Sequence, residues 1–293
     1  MTDSLGTILT AMVTPFNADL AVDHGKLAAL AEHLIANGSD GLVVAGTTGE
    51  SPTLSDAEKA AMFRTVVAAV GARAPVVAGT GSNDTAHSVA LTRTAERCGV
   101  AAVLVVTPYY NKPPERGLLA HFRAVAAATS LPLVVYNIPG RSVVNLSPEA
   151  LAALGEVDNI VAVKQANPDL GELRRLREIS DLGVYAGNDD MLLDVLKMGG
   201  RGGICVASHI VGPQMAEIAR LVRAGDEAGA ERLDESLREL YRTLFLTANP
   251  ILVKEALNLL GHEVGGLRLP LVPATPEESA AVADELRSLR LLP

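Results

Sequence analysis

Short, nearly continuous apolar runs recur along the chain, and an amphipathic segment follows each one. The runs are rich in β-branched residues and cover 7–13, 41–46, 75–81, 101–108, 132–139, 159–165, 183–189 and 202–208. Runs of this kind are typical of parallel strands that are covered on both faces. The pattern therefore predicts eight buried parallel strands.

Helical periodicity follows the predicted strands, near 23–37, 55–70, 84–97, 115–129, 147–154, 169–180, 189–199 and 213–223. Ser55 and Glu58 have the spacing of a capping box, in which the two residues satisfy the free amides at a helix start. Ser147 precedes a proline that is suited to a first helical turn. Gly199 and Gly200 are expected to end the seventh helix in the left-handed conformation.

Eight strand–helix units within residues 1–225 predict a (β/α)8 TIM barrel. The alternative is a doubly wound open sheet. It is disfavoured because no Gly-x-Gly-x-x-Gly sequence opens a helix after the first strand, and no P-loop motif occurs. Residues 226–293 predict further helices near 226–246, 250–261 and 276–290, with no flexible linker before them. We therefore expect a barrel domain over 1–225 and a helical extension over 226–293 that packs on it.

Composition limits the class of protein. Hydrophobic residues make up 48% of the chain and charged residues 20%, which favours a folded globular protein. A net charge of −9 without a basic patch disfavours nucleic-acid binding. Cys98 and Cys205 lie far apart and the histidines lack ligand spacing, so we expect neither a metal site nor a cofactor. An acidic start and the lack of a long apolar run favour a cytoplasmic protein without a membrane span.

The candidate site is expected at the carboxyl ends of the strands, where active sites of such barrels lie. Strand six ends in Lys164, and partial burial there disfavours the ammonium form. A neutral amine can form a Schiff base with a carbonyl, and the protonated Schiff base is an electron sink. A lysine that reaches toward solvent or pairs with a carboxylate is the alternative interpretation, and position alone leaves both open.

Other polar residues are expected at the same end of the barrel. Arg141 follows a Pro-Gly turn and is either a ligand for a substrate carboxylate or a surface arginine. Tyr136 is either a proton-transfer group or a half-buried core aromatic. Thr47 and Thr48 lie between glycines, where they can bind a carboxylate or simply form a turn. Each signal is weak alone, and their convergence favours a catalytic site.

Several motifs occur in an order that resembles a known family. They are GTTGES (46–51), TPYYNKP (107–113), YNIPGR (136–141), VKQA (163–166), NPILVKEAL (249–257) and GLRLPL (266–271). Together they resemble the dihydrodipicolinate synthase / N-acetylneuraminate lyase family of class I aldolases. The resemblance extends from residue 10 to residue 271.

The resemblance implies that Lys164 forms a Schiff base with pyruvate and that Tyr136 lies beside it for proton transfer. Thr48 would link Tyr136 to Tyr110 in a relay of hydroxyl groups. In the family this second tyrosine comes from a neighbouring subunit. The resemblance therefore implies a homodimer or a homotetramer.

The resemblance also implies how the two substrates bind. Thr47 and Thr48 would receive the pyruvate carboxylate, and Gly187 and Ile204 would contribute backbone contacts. Arg141 would bind the carboxylate of the second substrate, aspartate 4-semialdehyde.

The branch of the family is less firmly indicated. GTTGE and PGR resemble the synthases, whereas sialic acid lyases usually have a serine in the first motif and lack the arginine. The segments 165–168 (QANP) and 205–209 (CVASH) depart from the usual pattern. We favour the synthase because an aldehyde that carries a carboxylate needs a counter-charge. A lyase that acts on N-acetylneuraminate or a keto-deoxy sugar acid, and a non-catalytic binding barrel, stay as alternatives.

Some synthases of the family are inhibited by lysine at a subunit interface. The matching positions here are Ser51, Asp56, Lys59, Asn83, His87 and Tyr109. His87 stands where sensitive members carry a glutamate that holds the amine of the ligand, and Lys59 adds a like charge. We therefore expect weak or absent feedback inhibition by lysine.

Overall fold

The computed structural model describes residues 5–293 and shows a closed barrel of eight parallel strands, which confirms the predicted fold. Strands β1 to β8 are Ile8–Ala11, Gly41–Val44, Val76–Gly79, Ala102–Val106, Leu133–Asn137, Ile160–Gln165, Gly183–Ala186 and Gly202–Cys205. The strands pair in chain order, and β8 closes onto β1. Each strand is shorter than the apolar run that predicted it. Residues 1–4 of the predicted barrel domain lie outside the described residues.

Helices connect the strands and continue beyond the barrel. Helices α1 to α13 are His24–Ala36, Asp56–Val70, Thr85–Arg97, Glu115–Ala126, Pro139–Ser142, Pro148–Gly155, Leu170–Ile179, Leu192–Lys197, Ser208–Arg223, Glu227–Glu235, Arg238–Thr243, Ile251–Leu259 and Pro276–Ser288. The capping box of Ser55 and Glu58 is present, and the Ser147 side chain accepts a hydrogen bond from the Ala150 amide. Among these described helices, none is long and apolar enough to cross a membrane.

Some helical predictions were wrong in detail. The segment predicted as a helix over 189–199 is a 3-10 turn followed by the short helix α8, and only Gly199 has a positive φ. The segment predicted over 226–246 forms two helices, α10 and α11. Helix α9 begins at Ser208, not at 213, and is interrupted at Val211. This interruption lies next to Pro213, which has no amide hydrogen and crowds the preceding turn.

Alternation along the strands divides their side chains between two cores. The barrel interior is filled by Leu9, Ala11, Val43, Val77, Ala102, Leu104, Val134, Tyr136, Ala162, Tyr185 and Ile204. The side chains that alternate with these pack against the surrounding helices. On β6, Lys164 follows Ala162 onto the inner face, and Gln165 follows Val163 onto the outer face. Lys164 therefore belongs to the barrel interior and its neighbour does not.

The C-terminal helices pack on the barrel and on one another. Helix α10 contacts α8 and α9, α12 contacts α9, and α13 contacts α11 and α12. The division at residue 225 into two domains stays a prediction.

Candidate active site

Lys164 lies beside Tyr136 at the carboxyl end of the barrel. The two residues are register partners on β6 and β5, and each is only 5% exposed. The Lys164 Nζ atom is 4.3 Å from the centroid of the Tyr136 ring. Within residues 5–293, Nζ has no hydrogen bond or ion pair. Lys164 therefore does not pair directly with a carboxylate, which was the alternative interpretation.

Asp189 is a buried carboxylate close to Lys164 that sequence reasoning missed. It accepts hydrogen bonds from the amides of Val206 at 2.8 Å and Ala207 at 2.9 Å, and these hold it against the end of β8. Burial raises the pKa of the Asp189 carboxyl, and the two amide hydrogen bonds oppose this effect, as does the nearby charge of Lys164 to a smaller extent. The signal in the sequence was an acid at the end of the seventh predicted run (183–189), which also fits an ordinary loop.

The loop after β2 presents the two predicted threonines differently. Thr48 is 3% exposed, and its hydroxyl accepts a hydrogen bond from Asn249 Nδ2 at 2.9 Å. Thr47 is half-buried and faces the cavity described below. Ala45 and Glu50, on either side of the threonines, both have positive φ, so the loop is tightly turned.

Contacts with the C-terminal extension hold this loop in place. Glu50 forms a buried ion pair with Lys254, with 2.9 Å between Oε1 and Nζ. The second oxygen of Glu50 accepts a hydrogen bond from the Arg268 amide at 3.0 Å. Lys254 also donates to the carbonyls of Thr14 and Gly266. The NPILVKEAL and GLRLPL motifs thus supply the residues that fix the GTTGES loop.

A cavity of about 470 Å³ opens beside Tyr136. Its lining includes Tyr136, Thr47 and Arg141, but not Lys164 or Thr48. Arg141 lies on the short helix α5, which the sequence predicted only as a turn. Its guanidinium is exposed and makes no hydrogen bond or ion pair within the described chain. An unpaired guanidinium at the edge of a cavity can bind a carboxylate.

The remaining predicted residues have diverse environments. The Gly187 amide donates to the Gln165 carbonyl at 2.7 Å, and a Cβ atom at Gly187 would lie 2.7 Å from the Ala166 Cβ. This close approach requires glycine. Ile204 is fully buried in the barrel interior. Tyr110 is 87% exposed and has a positive φ, so a single chain does not bury its ring.

Gln165 and Asn167 of the unusual QANP segment join a polar network on the outer face of the sheet, whereas Ala166 packs among the side chains of the barrel interior. Gln165 Oε1 accepts from Asn137 Nδ2 at 2.9 Å, and the same amide donates to Asn145 Oδ1 at 2.8 Å. Asn145 and Asn167 both donate to the carboxylate of Glu172. The network around Gln165 therefore joins β5, β6 and α7 on the outer face, which is the opposite face of β6 from Lys164.

In the second unusual segment, CVASH, Cys205 lies buried beside Asp189 and Lys164, whereas His209 has a structural role. The Val13 amide donates to His209 Nε2 at 3.1 Å, and His209 Nδ1 contacts the Val206 carbonyl at 2.8 Å. An amide can only donate and a carbonyl can only accept, so the ring is neutral with its proton on Nδ1. Burial lowers the pKa of His209 to about 4, which is consistent with the neutral ring.

The predicted regulatory positions line the same cavity as Tyr136; they are Ser51, Asp56, Lys59, Asn83, His87 and Tyr109. His87 Nε2 lies 2.9 Å from both carboxylate oxygens of Asp56. Lys59 is 7% exposed and has no hydrogen bond or ion pair within the described residues. Burial lowers the pKa of the Lys59 ammonium, and Asp56 opposes this effect.

Comparison with known proteins gives one consistent result. Residues 4–289 match the model of the dihydrodipicolinate synthetase family. The chain is 49% identical to a 4-hydroxy-tetrahydrodipicolinate synthase of Desulforudis audaxviator, over 100% of both proteins. A dihydrodipicolinate synthase of Bacillus anthracis superposes with a TM-score of 0.95 at 43% identity, over 99% of both chains. A lysine-bound structure of the enzyme from Cyanidioschyzon merolae has a TM-score of 0.96 at 41% identity, over 98% of this chain and 99% of that one. The chain therefore belongs to the dihydrodipicolinate synthetase family.

Proposed function

We propose that the protein condenses pyruvate with L-aspartate 4-semialdehyde to give 4-hydroxy-tetrahydrodipicolinate, in the biosynthesis of lysine and diaminopimelate. The observation that carries the proposal is the position of Lys164, which is buried, unpaired within the described chain and in contact with Tyr136. Membership of the family and the names of full-length relatives support the same activity.

Lys164 begins the reaction as a nucleophile. The Lys164 amine attacks the ketone of pyruvate, and loss of water gives an imine. The protonated imine withdraws electrons, so the methyl group loses a proton and an enamine forms. The enamine carbon attacks the aldehyde of the second substrate. The amino group of that substrate then displaces Lys164 as the ring closes, which restores the free lysine.

Tyr136 and the threonine loop assist these steps. The Tyr136 ring lies against Lys164 Nζ, and its hydroxyl transfers protons as the imine forms and breaks. Thr47 and Thr48 bind the carboxylate of pyruvate, together with backbone groups at Gly187 and Ile204, and Thr48 does so through its backbone amide so that its hydroxyl serves the proton relay. Arg141 binds the carboxylate of aspartate semialdehyde, for which its unpaired guanidinium at the cavity edge is suited.

Tyr110 is proposed to act in a neighbouring subunit. Its ring is 87% exposed in the single chain, although its backbone is held at a positive φ. A non-glycine residue in that conformation costs free energy, which packing in an assembly can offset. We therefore propose a homodimer or homotetramer in the cytoplasm, with Tyr110 of one chain meeting Thr48 of another. The proposed chemistry requires no cofactor.

Trapping the imine tests the proposal directly. Borohydride reduction in the presence of pyruvate should attach a stable adduct to Lys164, which mass spectrometry of peptides locates. Lys164→Ala should give no adduct, whereas Lys112→Ala, which changes a lysine outside the barrel strands, should react like the unchanged protein. An unchanged protein that gives no adduct would contradict the proposal.

Substrate assays separate the synthase from the lyase. The purified protein should turn over aspartate semialdehyde with pyruvate and show little cleavage of N-acetylneuraminate. The opposite preference would assign the chain to the lyase branch. An adduct without either activity would leave a different 2-oxo acid as the substrate.

A further inference from the structure

Within residues 5–293, the Thr48 hydroxyl has one hydrogen-bond partner. Asn249 Nδ2 lies 2.9 Å from Thr48 Oγ1, and the two residues are 7% and 3% exposed. They are 201 positions apart in the chain. Little competing water reaches such a contact, so the amide strongly influences the orientation of the hydroxyl.

The chemistry of the two groups sets the direction of this hydrogen bond. An amide nitrogen only donates, so the Thr48 oxygen is the acceptor. A hydroxyl has a single proton, and that proton is left for an acceptor other than Asn249. The opposite orientation of the Asn249 amide would make Thr48 the donor and would consume its proton.

Burial favours the observed amide orientation. The Oδ1 atom of Asn249 is buried without a hydrogen-bond partner in the described chain. Turning the amide over would instead leave the NH2 group there, with two donors to satisfy. Buried carbonyl oxygens without a partner are more common than buried N–H groups without one. The NH2 group is therefore better placed against Thr48.

Asn249 is held in position independently of its contact with Thr48. It lies just before α12, and α12 carries Lys254, which pairs with Glu50 on the same loop as Thr48. The extension therefore attaches to the loop at two points. Removal of the Asn249 amide leaves the stronger, ionic attachment in place.

We infer that Asn249 is a positioning residue that directs the Thr48 proton away from the C-terminal extension and toward the reacting groups. This inference rests on the proposed function, because it takes Thr48 to be a member of the proton relay. Asn249 itself need not touch either substrate.

A double-mutant cycle tests the inference in the full-length protein. The variants are Asn249→Ala, Thr48→Val and their combination, assayed for kcat and for the borohydride-trapped fraction at saturating pyruvate. Asn249→Ala should lower kcat about 10-fold while the trapped fraction stays near that of the unchanged protein. In the Thr48→Val background, Asn249→Ala should have almost no further effect, since Asn249 acts through the hydroxyl.

The isosteric variant Asn249→Asp gives a second test. A carboxylate only accepts, so it should capture the Thr48 proton and lower kcat more than Asn249→Ala does. The solvent deuterium isotope effect on kcat should also rise, because proton transfer becomes slower. Asn258→Ala is the matched control. It removes an asparagine whose amide donates to the Gly265 carbonyl at 3.1 Å in the same extension, and it should leave kcat unchanged.

Three results would overturn the inference. The first is an equal effect of Asn249→Ala with and without the Thr48 hydroxyl. The second is a loss of kcat that follows the loss of stability across all variants, Asn258→Ala included. The third is an unchanged protein that forms no pyruvate adduct, which would remove the proposed function as well. The first two leave the adduct intact, so the two failures are distinguishable.

Discussion

Lys254 and Glu50 form an ion pair whose side chains are 2% and 0% exposed. The other polar atoms of the pair also have partners. The Lys254 ammonium donates to two carbonyls, and the second oxygen of Glu50 accepts from the Arg268 amide. A buried pair offsets its cost of desolvation only when such additional hydrogen bonds are present. The pair therefore fixes the extension against the loop that contains Thr48.

Lys254→Met should lower the free energy of unfolding by about 3–5 kcal/mol, because Glu50 would be left as a buried, uncompensated charge. Chemical denaturation followed by circular dichroism measures the change. Lys26→Met is the control, since the pair between Lys26 and Glu263 is exposed and should contribute about 0–1 kcal/mol. Adding Glu50→Gln to Lys254→Met should restore part of the loss. Equal losses for the buried and the exposed pair would contradict the assigned role.

Arg141→Ala should raise the KM for aspartate semialdehyde and lower kcat/KM at least about 10-fold, because a charged hydrogen bond to its carboxylate is lost. Imine formation with pyruvate should change little, and borohydride trapping measures it separately. Arg174→Ala removes an exposed guanidinium on α7 and should leave both quantities unchanged. Equal damage to both steps would show that Arg141 does not act on the second substrate alone.

Lysine should inhibit the protein weakly or not at all. The proposed lysine site contains the buried, unpaired ammonium of Lys59, which repels the amine of the ligand. His87 stands where a glutamate would hold that amine, and the His87 ring contacts the carboxylate of Asp56. Steady-state assays across a lysine titration check this expectation, and His87→Glu combined with Lys59→Ala, which removes the like charge, should increase the sensitivity. Inhibition of the unchanged protein by sub-millimolar lysine would refute the prediction.

Stability should fall as the pH decreases from 6.5 to about 4, the range between the ordinary and the lowered pKa of His209. The unfolded chain binds a proton in this range and the folded chain does not, so acid favours unfolding, by about 3 kcal/mol for this residue. A proton on His209 would also face the neighbouring His33 and His262. Denaturation midpoints measured across this pH range for the unchanged protein and His209→Gln check the effect. The variant should be less stable at neutral pH, and its denaturation midpoint should change less with pH than that of the unchanged protein.

Gln165→Leu should lower the free energy of unfolding by about 1–3 kcal/mol, since the buried Asn137 amide loses an acceptor. The ratio of activity with aspartate semialdehyde to activity with other aldehydes should not change, because Gln165 faces away from the barrel interior. Denaturation and parallel substrate assays measure the two quantities. A shift in substrate preference would contradict the placement of Gln165 outside the site.

Local patterns predicted the barrel well. Each buried strand must be apolar on both faces, so a run of a few residues is enough to identify it. The same alternation places Lys164 inside and Gln165 outside. The sequence did not indicate the contact of Asn249 with Thr48, since no local pattern encodes a hydrogen bond between residues 201 positions apart. Asp189 was missed for a similar reason, because its partners are amides at the end of another strand.

The pairing of Glu50 with Lys254 also has a consequence for synthesis on the ribosome. All eight strands have been translated by Cys205, yet the loop that follows β2 lacks its ionic anchor until residue 254 has been added. A nascent chain can therefore close its sheet before the mouth of the barrel has acquired its final shape. The loop at that mouth can be fixed only after the last fifth of the polypeptide, which contains Lys254, has begun to emerge.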